Sequence, residues 1–222
     1  MSHARIRSLH LEGKAGKLEA LLNMGAESAE YAAVVAHPHP LFGGTMHNKV
    51  VFHAMKALNA FGLPVLRFNF RGVGTSTGEH DYGRGEIDDV RTAVEWIKSE
   101  LDLPLIFAGF SFGAATGVRA VCGDCGVAGI AALGLPLNAD GRTYEYELLA
   151  ECTQPKLFLS GDRDEFADAT ALRHALEGAA APKRIVFIQN ADHFFTGHLD
   201  DMRTALESWV EDVFLVTRQA PL

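Results

Sequence analysis

Six short apolar runs alternate along this chain with stretches of helical period, and that alternation limits the possible folds more than any other feature. The runs are Tyr31 to Ala36, Pro64 to Phe70, Leu105 to Gly109, Val127 to Leu133, Lys156 to Ser160 and Arg184 to Gln189. Between and after them the apolar spacing predicts helices over Asn48 to Phe61, Gly85 to Leu101, Phe112 to Val121, Phe166 to Gly178 and Asp200 to Thr217. Strands joined through helices need crossover connections, so the sheet is mainly parallel and covered on both faces. Functional groups on such a sheet gather at the carboxyl ends of the strands.

Upstream, Ile6 to Leu11 and Lys17 to Asn23 flank a glycine-containing turn and read as a hairpin, which brings the expected strands to about eight. No repeat, low-complexity segment or linker divides the 222 residues, so the expectation is a single domain over 1–222. The longest irregular stretch, Gly134 to Thr153, is long enough to cover a site and too short for a large cap domain.

A formal net charge of −8 with no run of Lys or Arg excludes phosphate-backbone binding as the main activity, so no nucleic-acid partner is expected. The start, Met1 to Arg7, leads into alternating residues rather than an apolar secretory core, and no segment reaches the roughly 20 apolar residues needed to span a bilayer. The expectation is a soluble cytoplasmic protein without a membrane partner. Cys122 and Cys125 have the spacing of a redox or metal pair, but only Cys152 remains to join them; free thiols in a loop are the preferred reading.

Chemistry enters at Gly109-Phe110-Ser111-Phe112-Gly113, which follows the run Leu105 to Ala108 and precedes a small-residue helix. A serine at such a strand-to-helix turn stands clear of the sheet as a nucleophile. Gly74-Thr75-Ser76-Thr77-Gly78 has the same spacing but lies among turn residues with no helix opening behind it, so Ser76 is rejected. A serine hydroxyl needs a base, and the base needs a carboxylate to fix its tautomer. His193, on the loop after Arg184 to Gln189, is preferred as base over His198, which adjoins the last helix. Asp162, Asp164 and Glu165 follow the run Lys156 to Ser160, and Asp164 is preferred; Asp162 could equally cap its turn, and Asp168 lies on the next helix.

The loop His37-Pro38-His39-Pro40-Leu41-Phe42-Gly43-Gly44 stands where a second oxyanion donor belongs. Proline has no N–H, so His39, Leu41 and residues beyond are the available donors, with His39 expected to join the Phe112 amide. Metal ligation through His37 and His39, completed by His47, His80 or Asp81, is the weaker alternative, since no closely spaced ligand set follows. Leu41, Phe42 and Phe110 are candidate apolar walls for a substrate.

Taken together these motifs resemble the α/β-hydrolase superfamily over nearly the whole chain. His37-Pro38-His39-Pro40 with Gly43-Gly44-Thr45-Met46, then Phe68-Asn69-Phe70-Arg71-Gly72-Val73-Gly74, is similar to small bacterial hydrolases related to the dienelactone-hydrolase and prolyl-oligopeptidase-like branch. The resemblance implies a three-layer α/β-hydrolase fold and a Ser111, Asp164, His193 triad by motif position. It also implies a structural Arg-Gly-x-Gly turn and neither metal nor organic cofactor. The expected activity is hydrolysis of a small carboxylic ester or related acyl compound. A peptidase or acyltransferase on the same triad, or a non-catalytic binding protein that keeps the fold, are the alternatives. Glu79 to Glu86 reads as turn and helix cap, with pocket lining as the sharper reading. Met202, Leu206, Trp209, Val210, Val213 and Phe214 form an apolar stripe on the last helix, read as core, which leaves a homo-oligomer open.

Overall fold

A computed structural model describes residues 6–215; the expectations that fall on residues 1–5 and on 216 and 217 lie outside the described residues. The chain begins with strands β1 (Ile6–Gly13) and β2 (Gly16–Asn23), followed by β3 (Ala32–Ala36), α1 (Lys49–Ala60) and β4 (Val65–Phe68). Then come α2 (Gly85–Leu101), β5 (Leu105–Phe110), α3 (Phe112–Val121) and β6 (Val127–Leu133). Two short strands, β7 (Asn138–Ala139) and β8 (Arg142–Thr143), precede β9 (Lys156–Gly161), α4 (Ala169–Ala175), β10 (Lys183–Ile188) and α5 (Leu199–Val210). The main sheet has eight strands in the order β1-β2-β4-β3-β5-β6-β9-β10. Its first three strands pair antiparallel and the rest parallel. This is the α/β-hydrolase architecture without a large cap domain.

Successive side chains on a strand face opposite ways, and here each face has its own helices to meet. On β5, Phe107 points into a core with Val94 and Ile97 of α2 and Val118 of α3. Its neighbours Ile106 and Ala108 point into a second core with Val51 and Leu58 of α1 and Leu206 and Trp209 of α5. Both faces of the central strands are therefore buried, which explains why these strands read as continuous apolar runs rather than alternating ones.

Three elements depart from the sequence reading. Helix α4 starts at Ala169 rather than Phe166: the Asp168 carboxylate accepts the amides of Thr170 and Ala171, while the Phe166 amide donates to Asp164 at 2.9 Å and its carbonyl accepts from Leu137 and Asn138. The last helix widens after Val210 and continues as one π-helical turn, Glu211–Leu215. The stretch after Gly134 contains the β7–β8 hairpin and a 3-10 turn, Glu147–Ala150, neither of which has a period to read. Among the described residues no helix is long and apolar enough to cross a membrane.

Candidate active site

Ser111 occupies the turn between β5 and α3 with φ 55° and ψ −119°, a left-handed conformation that a non-glycine residue adopts only when the surroundings enforce it. The enforcement comes from close packing on either side. A Cβ on Gly109 would come 2.5 Å from the Gly113 carbonyl oxygen, and one on Gly113 would come 2.5 Å from the carbonyl oxygen of His37. Only glycine allows α3 to lie this near the end of β3. The Ser111 amide is held by Leu133 O at 2.9 Å, which leaves the hydroxyl to project from the turn.

His193 Nε2 lies 2.9 Å from Ser111 Oγ, and His193 Nδ1 lies 2.8 Å from Asp164 Oδ2. Both partners of that second contact are buried. The carboxylate is held from two further sides: the Ser160 hydroxyl donates to Oδ2 at 2.9 Å and the Phe166 amide to Oδ1. The imidazole is packed by Phe166, Phe110 and Phe194, with ring centroids 4.5, 5.1 and 5.2 Å away. An imidazole that bridges a hydroxyl and a buried carboxylate can accept the hydroxyl proton and be stabilised as the cation that results.

The alternatives are occupied elsewhere. Asp162 accepts the Asn190 amide and so ties the turn after β9 to the end of β10. Asp168 caps α4, and His198 Nδ1 contacts Asp201 at 2.9 Å at the start of α5. Ser76 is buried, accepting the Glu19 amide and donating to Asn69 O, both at 2.9 Å. Cys122 hydrogen-bonds Leu148 O, and burial, helped by the adjacent Cys152, pushes its thiol up to about 12, so it holds no reactive thiolate at neutral pH.

The loop after β3 is organised by His37. Its Nε2 accepts the Phe70 amide at 3.0 Å, so the ring proton sits on Nδ1 and donates to Pro38 O at 2.6 Å. That bond fixes the peptide plane between Pro38 and His39, and with it the direction of the His39 N–H, which in a trans peptide lies opposite the carbonyl. The His39 carbonyl in turn accepts the amides of Phe42 and Gly44. The Phe112 amide opens α3, where the first N–H groups have no acceptor within the helix. Both ring nitrogens of His37 are thus taken by backbone groups, and burial lowers its pKa to about 3. Neither nitrogen is free for a metal ion, and among the described residues no group of three potential ligands is assembled.

Ser111 and His193 open onto a cavity of about 280 Å³ lined mainly by apolar groups, among them Phe42, Phe112, Phe166 and Phe194. Of the expected walls only Phe42 lines it. Leu41, on the same short 3-10 turn, points away and is 62% exposed, while Phe110 is wholly buried beneath His193 as support for its ring. Pro136, Ala139, Asp140 and Tyr144 complete the lining from the irregular stretch and were missed, since nothing in its sequence has a period. Phe166 and Phe194 carry a signal that could have been used: each lies within two residues of a relay group. The segment from Glu79 to Glu86 stays out of the cavity wall. Buried Glu86 accepts the amides of Asp81 and Gly83, and Asp81 accepts that of Gly85 at the head of α2.

A fold of this topology with a serine on the turn after β5 defines the class of α/β hydrolases. The family model for the alpha/beta hydrolase domain matches residues 30–217, and the chain belongs to that family. A lidless α/β serine hydrolase of Xanthomonas campestris is 34% identical, with a TM-score of 0.82 and 96% of each chain covered. A putative alpha/beta hydrolase of Agrobacterium tumefaciens is 31% identical with a TM-score of 0.86, covering 97% of this chain and all of that one. An uncharacterised protein of Rickettsia prowazekii is 31% identical over 91% of this chain and 87% of its own length.

Proposed function

We propose that the protein is a serine hydrolase that cleaves small carboxylic esters through an acyl-enzyme on Ser111. The relay of 2.9 and 2.8 Å from Ser111 through His193 to Asp164, at a strained turn facing an apolar cavity, carries this reading. As Ser111 Oγ attacks the ester carbonyl, His193 Nε2 takes its proton and Asp164 stabilises the imidazolium. The amides of Phe112 and His39 hold the developing oxyanion; one such donor is worth about 2.7–4 kcal/mol. The tetrahedral intermediate collapses, the alcohol leaves with the proton from His193, and Ser111 is acylated. Water then gives its proton to His193 and attacks the acyl carbon; collapse releases the carboxylic acid and returns the proton to Oγ. Four phenylalanines on the wall suit an uncharged acyl group.

A fluorophosphonate probe tests this directly. Wild type should be labelled at Ser111, Ser111→Ala should not be, and an ester panel should be hydrolysed where matched amides are not. Equal labelling of Ser111→Ala, or no labelling of wild type, overturns the assignment. Turnover of amides, or transfer to an added alcohol in place of water, redirects it to a peptidase or an acyltransferase.

A further inference from the structure

The cavity carries a polar pair that the relay does not use. His39 Nε2 and Asp140 Oδ2, both on the lining, lie 3.8 Å apart, too far for a direct hydrogen bond. Their hydrogen-bonding senses are opposite. His39 Nδ1 accepts the Leu41 amide at 3.2 Å, so the proton of the neutral ring is on Nε2, which makes that nitrogen a donor. Burial, with His80 beside it, lowers the pKa of His39 and keeps the ring neutral near pH 7. The Asp140 carboxylate is an acceptor that takes no hydrogen bond from another protein group among the described residues.

The backbone holds Asp140 in this position. It and Gly141 have φ of 52° and 67°, the two left-handed residues of a type I′ turn closing the β7–β8 hairpin. The hairpin is secured by Tyr144 N–H to Leu137 O at 2.8 Å and by Thr143 to Asn138 at 3.1 Å. Arg142, the nearest cation in sequence, donates to Tyr82 O at 2.8 Å and lies over the Tyr82 ring, 5.1 Å from its centroid. The acceptor is thus presented at the mouth of the cavity, with a donor just inside it.

We infer that His39 and Asp140 form a subsite for a hydroxyl group on the substrate, which accepts from His39 Nε2–H and donates to Asp140. This rests on the esterase reading above and names a feature of its substrate. A hydroxyl satisfies both groups at once. An ammonium would set a second donor against the His39 N–H, and a methyl would pair with neither group, leaving the largely buried His39 N–H without an acceptor.

Alkyl fluorophosphonates of matched length provide the test: unsubstituted, bearing a hydroxyl at the third, fourth or fifth carbon, or bearing an amine there. Their second-order inactivation rates need only a reactive Ser111 and no turnover. At least one hydroxylated member should react about 10-fold faster than its unsubstituted twin and faster than the amine. That advantage should fall to about parity in Asp140→Ala and in His39→Phe, which keeps the backbone amide. Hydroxylated members no faster than their parents, an advantage that survives both substitutions, or a faster amine each overturn the subsite. Failure of the whole series to label wild type strikes Ser111 itself, and the subsite falls with it.

Discussion

His37 shows how a single buried side chain can carry both stability and chemistry. Its imidazole joins the Phe70 amide to Pro38 O and is fully buried, so it must be neutral in the folded protein. The ordinary pKa of 6.5 governs the unfolded chain and about 3 the folded one. Between these values the unfolded state binds the extra proton, so the stability contributed by the neutral ring is complete above pH 6.5 and is lost as pH falls towards 3. The slope is up to about 1.4 kcal/mol per pH unit. Denaturant midpoints of wild type and His37→Gln, measured at pH 7 and pH 5, should therefore converge at the lower pH; parallel values would show that the ring titrates normally. Because His37 aims the His39 amide, the variant should also lose about 100-fold in kcat with little change in KM. An equal loss in both parameters would point to a collapsed cavity instead. That Ser111, Asp164 and His193 would come together was legible in the sequence because each follows the end of a strand, where the topology dictates the side of the sheet. The aiming role of His37 was not, since it depends on which backbone groups meet the ring. Leu41 and Phe110 were misread for a related reason: hydrophobicity says that a side chain will be buried or packed, but not against which surface.

At the scale of elements, the close approach of α3 to the end of β3 brings the Phe112 amide and the His39 loop to one site. Gly113 is the contact point. A methyl there would lie 2.5 Å from His37 O and 2.7 Å from Ala36 O, backbone atoms that cannot turn aside. Gly113→Ala should cost about 1–3 kcal/mol by denaturation and, on the proposed mechanism, reduce kcat as the amides of Phe112 and His39 separate. Gly178→Ala is the control: its Cβ would meet nothing within 4 Å and its φ is not in the left-handed range, so stability should be unchanged or rise by about 0.4–1 kcal/mol. Equal behaviour of the two variants would mean that α3 shifts freely and that its closeness is not what orders the site. Elements with long periodic signals were readable from sequence, and α2, α3 and β6 have the boundaries expected. Shortening of α4 was not readable, because the Phe166 amide is recruited by Asp164, a side-chain demand invisible to periodicity. The β7–β8 hairpin has two-residue strands, too short to alternate, although Asp140-Gly141 is itself a strong turn signal.

For the whole molecule, the question is what the apolar stripe of α5 does, since a stripe of this kind serves equally as a core face or as a surface between copies. Here it is consumed within the chain. Met202, Leu206, Trp209 and Val210 are buried against the sheet face that also carries α1. Trp209 meets Phe214 edge to face at 5.3 Å, and Phe214 meets Tyr31 at the same distance. Gly129 of β6 leaves the space for both rings: a Cβ there would lie 2.5 Å from Phe214 and 3.2 Å from Trp209. The aromatic pair therefore locks the end of α5, with its π-helical turn, onto the middle of the sheet. Trp209→Ala should cost about 3–5 kcal/mol. If the stripe is internal, that loss appears as the same drop in Tm at every protein concentration, because no association equilibrium is linked to it. Melting wild type and variant over about a hundredfold range of concentration separates the two roles. A Tm that climbs with concentration in wild type and not in the variant would place Trp209 between copies of the chain and refute the core assignment.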